Sequence, residues 1–234
     1  MNLRLRSYQP ELLDADDLPF EDIRRNMHEL QVINQWLGGH DITLKGFKAL
    51  LPKAADKNNI HICEIGCGGG DNLAAIVAWG KRHGINIQCT GIDIKQYCID
   101  VAQQHPLLQQ NMQWITSDYR AVDFARKPDI IFCSLFCHHF TEQALVQQLQ
   151  WMQQNSTAGF FINDLHRHQL AYFSIHWLTQ LFSRSYLVKN DAPLSVARGF
   201  IKTEWQQLLQ QANIHHYNLR WQWAFRHLLV YTHD

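Results

Sequence analysis

A surplus of either charge is missing from this sequence: 21 Lys and Arg stand against 21 Asp and Glu, and no five or six like charges run together. Without a basic stripe there is no electrostatic footprint for a polyphosphate, so nucleic acid is not an expected partner. Long apolar runs are missing too. Nowhere do 18 apolar residues follow one another, which excludes a membrane-spanning helix from the reading, and the basic start MNLRLRSYQPELLDADD leads into no signal-peptide core. The expected location is the cytoplasm. The six cysteines (Cys63, Cys67, Cys89, Cys98, Cys133, Cys137) include no Cys-x-x-Cys pair, so they read as reduced, mostly core thiols. The histidine pairs His138/His139, His166/His168 and His215/His216 lack the closely spaced ligands of a structural zinc module, and no metal is expected.

What is present is a chain of 234 residues, 46% hydrophobic, long enough for one enlarged domain with a substantial core. Phe20, Ile23, Met27, Leu30, Ile33 and Leu37 keep a three-or-four spacing between Pro19 and Gly38, which predicts an amphipathic helix. Leu44, Phe47, Leu50 and Leu51 suggest a second, and the polar run PKAADKNN places a boundary near residue 58. Residues 1–57 are therefore expected to form an N-terminal helical lid and residues 58–234 the main domain.

Beyond that boundary, strand-length apolar runs at 60–65, 85–93, 112–116, 129–136 and 159–164 alternate with helical stretches. Such alternation implies βαβ crossovers and an α/β fold, a mostly parallel Rossmann-like sheet with helices on both faces. Thr141 is an expected cap for a helix burying Leu145, Leu149 and Met152. Thr203-x-x-Gln206 reads as a capping box opening a helix that stops at Asn213. Two final strand-like runs around Ala224 lie too close for a crossover and predict an antiparallel hairpin at the sheet edge. The aromatic stretch Leu170–Phe182 predicts a helix inserted after the fifth strand, packed mainly as core with some pocket contact.

The first strand runs into Glu64-Ile-Gly66-Cys67-Gly68-Gly-Gly70-Asp71 and then a helix. Glycines there let a ligand approach the main chain, beside the free N–H groups of a helix start. Asp71 stands where a dinucleotide fingerprint needs its last glycine, and would oppose a pyrophosphate. The second strand ends at Asp93, 27 residues after Gly66, where a carboxylate can accept both ribose hydroxyls.

These residues resemble the class I S-adenosylmethionine-dependent methyltransferases, whose first motif, E/D-x-G-x-G-x-G, matches Glu64, Gly66, Gly68 and Gly70. The resemblance implies a seven-stranded sheet with its last strand antiparallel. It also implies that S-adenosylmethionine binds and leaves as S-adenosylhomocysteine, with Glu64 and the glycine turn at its amino-acid end. Asp93 would meet the ribose and Asp118 the adenine, with Cys67, Ile94, Tyr119 and Ser134 lining the same site. The fourth strand lacks the Asn/Asp-Pro-Pro-aromatic sequence of relatives acting on base amines or glutamine amides. A narrower likeness, in Asp164-Leu-His-Arg, Asp191 and Ser195-Val-Ala-Arg198, is to bacterial enzymes found beside polyketide synthases.

In open α/β sheets the ligand crevice lies beyond the carboxyl ends of the strands, where this chain has His138-His139-Phe140 and Asp164-Leu-His166. Methyl transfer needs a base only for the nucleophile, and imidazole suits a phenol. His139 and His166 lead as expected catalytic residues, followed by His138 and Asp164; Arg167 and Arg198 suit either an acidic acceptor or internal ion pairs. The expected reaction is methylation of a hydroxyl on a small aromatic, polyketide or lipid-like acceptor by a monomer or homodimer. Carbon methylation of a quinol precursor and cofactor binding without catalysis are the alternatives.

Overall fold

The computed structural model describes residues 2–15 and 18–233. Seven strands alternate with helices for most of the chain: β1 (Asn59–Ile65), β2 (Asn86–Asp93), β3 (Met112–Thr116), β4 (Ile130–Ser134), β5 (Gly159–Leu165), β6 (Tyr217–Gln222) and β7 (Arg226–Thr232). They form one sheet in the order β3-β2-β1-β4-β5-β7-β6, parallel except for β7, which pairs antiparallel with β5 and β6. The order reverses between β1 and β4, and that reversal opens a crevice at the carboxyl ends of both strands.

Alternate residues of the central strands enter two separate cores. Ile60, Ile62, Phe132 and Phe161 face helices α2 (Gly39–Leu50), α3 (Asp71–His83) and α4 (Gln96–Gln103). Cys63, Ile131, Cys133 and Phe160 face α5 (Glu142–Asn155) and α8 (Lys202–Gln211). With both faces covered, the strands read as continuous apolar runs rather than alternating ones. A third cluster joins α6 (Gln169–Phe182) and α7 (Tyr186–Arg198) to α1 (Phe20–Trp36). Glu29 of α1 fastens it by accepting from Ser183 Oγ and from the Arg184 and Ser185 N–H groups between α6 and α7.

Several sequence expectations change on folding. Within residues 1–57, α2 is part of the main core: Ile42, Phe47 and Leu50 are buried, and a Cβ on Gly46 would lie 2.4 Å from the Phe161 ring of β5. α8 begins at Lys202, so Thr203 lies inside it and caps nothing; the Glu204 carboxylate accepts the Ile201 N–H at 2.8 Å instead. Arg167, bound to Glu204 at 2.5 and 3.0 Å, fixes that carboxylate where it can cap. Asn213 does end the helix region, at φ 58°. In α6 only Ala171, Ile175 and Thr179 are buried, whereas Phe173, Trp177 and Phe182 are exposed, so the aromatic stripe is not core. All six cysteines are free.

Two consequences for stability follow from this packing. Gly46→Leu should overpack the α2–β5 contact and lower unfolding stability by about 1–3 kcal/mol in urea titration, whereas an unchanged midpoint would mean α2 is not seated there. His227, buried in β7, has its imidazole pushed down to about 4 by burial and the neighbouring His166. Its unfolded counterpart titrates near 6.5, so the unfolded state binds the extra proton between these values, and stability falls as pH drops through that window. Between pH 7 and 5 the wild type should lose about 2 kcal/mol more than His227→Leu. Equal losses would contradict the assignment.

Candidate active site

At their carboxyl ends the strands change from apolar to polar: Glu64 on β1, Asp93 on β2, Ser134 on β4, and Asn163 and Asp164 on β5. Glu64 is buried, with one oxygen accepting from Asn72 Nδ2 at 3.2 Å and Oε2 without a hydrogen-bond partner. Burial, followed by repulsion from Asp71 and Asp93, raises its pKa well above the carboxylate range. Gly66 and Gly68 adopt φ of 66° and 50°, a region side chains rarely enter. A Cβ on Gly66 would lie 2.1 Å from the Phe136 ring, while one on Gly68 would meet nothing within 4 Å. The turn is thus open at Gly68 and closed over Gly66 by an aromatic ring.

Asp93 joins the turn to the second strand by accepting from the Gly68 and Lys95 N–H groups, each at 2.9 Å; burial raises its pKa against these bonds. Cys67 is buried, and burial pushes its thiol far up, so it fills space rather than reacts. Ile94 is exposed. Asp118 caps a short 3-10 helix at Tyr119–Ala121 and is held by Arg120, whose hydrogen bonds lower its pKa. Tyr119 is buried among Phe136, Phe140 and Trp151. Ser134 Oγ accepts from Asn163 Nδ2 at 3.1 Å.

α1 arches over the turn. A Cβ on Gly69 would lie 3.4 Å from Met27 Cε, and Asp71 accepts from Asn34 Nδ2 at 3.1 Å and pairs with His40 Nε2 at 2.7 Å. Burial acts to raise the Asp71 pKa, but the bonds from His40 and Asn34 outweigh it and leave it lowered. Asn34 Oδ1 in turn accepts from Arg226 Nη1 at 2.9 Å. Asp71 therefore ties the glycine turn to the N-terminal helices. Asn26, also on α1, is fully buried with neither side-chain polar atom partnered.

After β4 the chain turns through Leu135 at φ 53° into a 3-10 helix, Cys137–His139. Asp164 anchors that loop, accepting from Phe136 N at 3.1 Å, Cys137 N at 2.7 Å and His138 Nδ1 at 2.9 Å. Burial works to raise its pKa, yet His138 and the backbone donors outweigh burial and hold it below the usual range. From the other side Arg6 and Arg198 donate to the carbonyls of His138, His139 and Phe140. The structure thus brings His138, His139 and Asp164 together. His166 lies elsewhere, against the β6–β7 hairpin, with Nδ1 accepting from Trp221 Nε1 at 3.1 Å and its pKa lowered chiefly by burial.

Glu11 is the residue that sequence reasoning missed. Its carboxylate lies 3.7 Å from His138 Nε2 and 4.0 Å from His139 Nε2, and Ser195 Oγ donates to it at 2.7 Å. The N-terminal strap carrying it is clamped to α7: Asp191 accepts from the Leu12 and Leu13 N–H groups, and Arg198 donates to the Gln9 carbonyl. Of the two arginines that suited either an acidic acceptor or internal ion pairs, Arg167 pairs with Glu204 and Arg198 clamps backbone carbonyls. A cavity of about 410 Å³ beside the strap is lined by Gln9, Tyr172, His176, Tyr186, Lys189 and Leu194, among others. No helix among the described residues is long and apolar enough to cross a membrane.

Residues 62–157 match the family model described as a methyltransferase domain. No curated protein matches the chain. Among solved structures, a plantazolicin methyltransferase in complex with S-adenosylhomocysteine aligns at a TM-score of 0.68 and 16% identity, covering 90% of either chain. Human N-acetylserotonin methyltransferase with S-adenosylmethionine aligns at 0.58 and 16%, covering 90% of this chain and 55% of that one. Magnesium protoporphyrin IX methyltransferase from Synechocystis PCC 6803 with S-adenosylhomocysteine aligns at 0.52 and 13%, covering 94% and 90%. The glycine turn, the strand-end carboxylates and the sheet order agree with these matches: the sheet has the class I methyltransferase fold, and residues 62–157 of the chain match a methyltransferase domain.

Proposed function

We propose that this protein transfers the methyl group of S-adenosylmethionine to a hydroxyl of a small aromatic, polyketide or lipid-like acceptor. The observation that carries the cofactor assignment is the fit of the turn: an open backbone at Gly68, flanked by the unpartnered Glu64 Oε2 and by Asp93 at the strand end. Glu64 and the glycine turn would hold the amino-acid end, and Asp93 the ribose hydroxyls. Asp118 would reach the adenine amino group only by sharing the carboxylate that now binds Arg120. S-adenosylmethionine brings a methyl group already activated on a sulfonium, so the chain has to align the acceptor, exclude water and receive one proton.

For the proton we propose His139. Its side chain is 27% exposed, whereas that of His138 is 3% exposed with Nδ1 engaged by Asp164. Asp164 is consumed by backbone donors, and His166, with Nδ1 accepting from Trp221, presents a protonated Nε2 in its neutral form. The arch of α1, with α6 and α7, is the proposed cover that keeps water from the reacting atoms, and Phe136 over Gly66 is the proposed apolar wall.

Isothermal titration with S-adenosylhomocysteine tests the cofactor site. The wild type should bind, and Asp93→Ala should weaken binding about ten- to a hundred-fold while still unfolding in one cooperative transition; equal affinity of the two proteins would overturn the assignment. His139→Ala should keep that affinity yet lower methyl incorporation from labelled S-adenosylmethionine about a hundred-fold or more. Full incorporation would remove His139 as the base.

A further inference from the structure

We propose that Glu11, His138 and His139 form a binding site for one divalent transition-metal ion of the zinc class at the carboxyl end of β4. One carboxylate oxygen of Glu11 and one ring nitrogen of each histidine lie within 4.8 Å of one another. The two carboxylate-to-imidazole separations, 3.7 and 4.0 Å, are too long for hydrogen bonds. They run to different carboxylate oxygens, Oε1 for His138 and Oε2 for His139, and the ligand spread of up to 4.8 Å is wider than the roughly 3.3 Å between ligands held about 2.0–2.1 Å from a tetrahedral ion. Binding an ion there requires the three side chains to draw together.

The surroundings are those of a metal ligand set. Asp164, wholly buried, holds His138 Nδ1 at 2.9 Å and so turns Nε2 toward Glu11, the carboxylate–histidine pairing that orients imidazole on a metal. Ser195 does the same for Glu11 by donating to Oε1 at 2.7 Å. Two borderline imidazoles with one hard carboxylate form a nitrogen-rich set suited to Zn²⁺, Co²⁺ or Ni²⁺ rather than to Mg²⁺ or Ca²⁺, which take all-oxygen sets. The buried carboxylates Glu11, Asp164 and Asp191 are matched by the buried guanidinia Arg6, Arg198 and Arg226, so the site rests on its ligand geometry and not on a surplus of negative charge. His139, the half-buried member, leaves one side of the set open toward solvent.

The site ties the N-terminal strap to the β4 loop, two segments more than 120 residues apart, so an ion there would fix the strap over the site. His139 Nε2 cannot hold an ion and accept a proton at once. Metal loading and base action through that nitrogen therefore exclude each other, and the binding claim stands apart from the methyltransferase assignment.

The test is titration of metal-free protein with cobalt(II) chloride, followed by visible absorption, and with zinc chloride, followed by calorimetry. One equivalent should bind, and Glu11→Gln and His139→Ala should each weaken it about ten-fold or more while melting unchanged. His215→Ala with His216→Ala should leave it as in the wild type, which separates this site from adventitious binding by other histidines. Should Glu11→Gln unfold the strap, His139→Gln, at the half-buried position, still reads the same loss. No binding by the wild type, or binding that survives both Glu11→Gln and His139→Ala, would overturn the proposal.

Discussion

A carboxylate taken wholly out of water at the end of β5 sets the terms for the rest of the site. Asp164 satisfies its charge with the main-chain N–H groups of Phe136, Cys137 and Leu165 and with one imidazole nitrogen of His138. Those bonds are worth more than ordinary ones because the acceptor is ionised and screened from solvent. They force the chain after β4 into a tight turn through Leu135, place Phe136 over Gly66, and aim His138 across the loop. Buried charge at one strand end thus dictates what stands above the neighbouring one.

The outer side of that loop is held by a second set of charges. Arg6 and Arg198 bind its carbonyls, which would otherwise be orphaned under the strap. α7 supplies the counterparts, with Asp191, Ser195 and Arg198 one helical turn apart along a single face. The N-terminal residues are therefore part of the site's frame rather than a loose leader to it. α1 and α2 divide the same segment differently: α2 is apolar core on the sheet, whereas α1 touches the glycine turn through Met27 and polar bonds from Asn34.

How much of this could be read from the sequence follows from the range of the interactions. The glycine turn, Glu64 and Asp93 lie within one βαβ unit, where local spacing fixes their relative positions, and they were legible. The antiparallel β6–β7 pair was legible because its connection is too short for a crossover. Glu11 was not, since nothing in Pro-Glu-Leu-Leu marks a residue that will meet His138. Asn34 and Arg226 were invisible for the same reason, being partners 192 positions apart. His166 misled because a strand-end position says nothing of Trp221 arriving from the hairpin. The α6 aromatics misled because helical spacing identifies a face, not what covers it.

The most direct test of the central claim is transfer of a labelled methyl group from S-adenosylmethionine into a cell extract divided into organic-soluble, protein and nucleic-acid fractions. The account predicts label in the organic fraction, in a product whose fragmentation places the methyl on oxygen. Label confined to protein or nucleic acid, or none from a protein that binds S-adenosylhomocysteine, would contradict it.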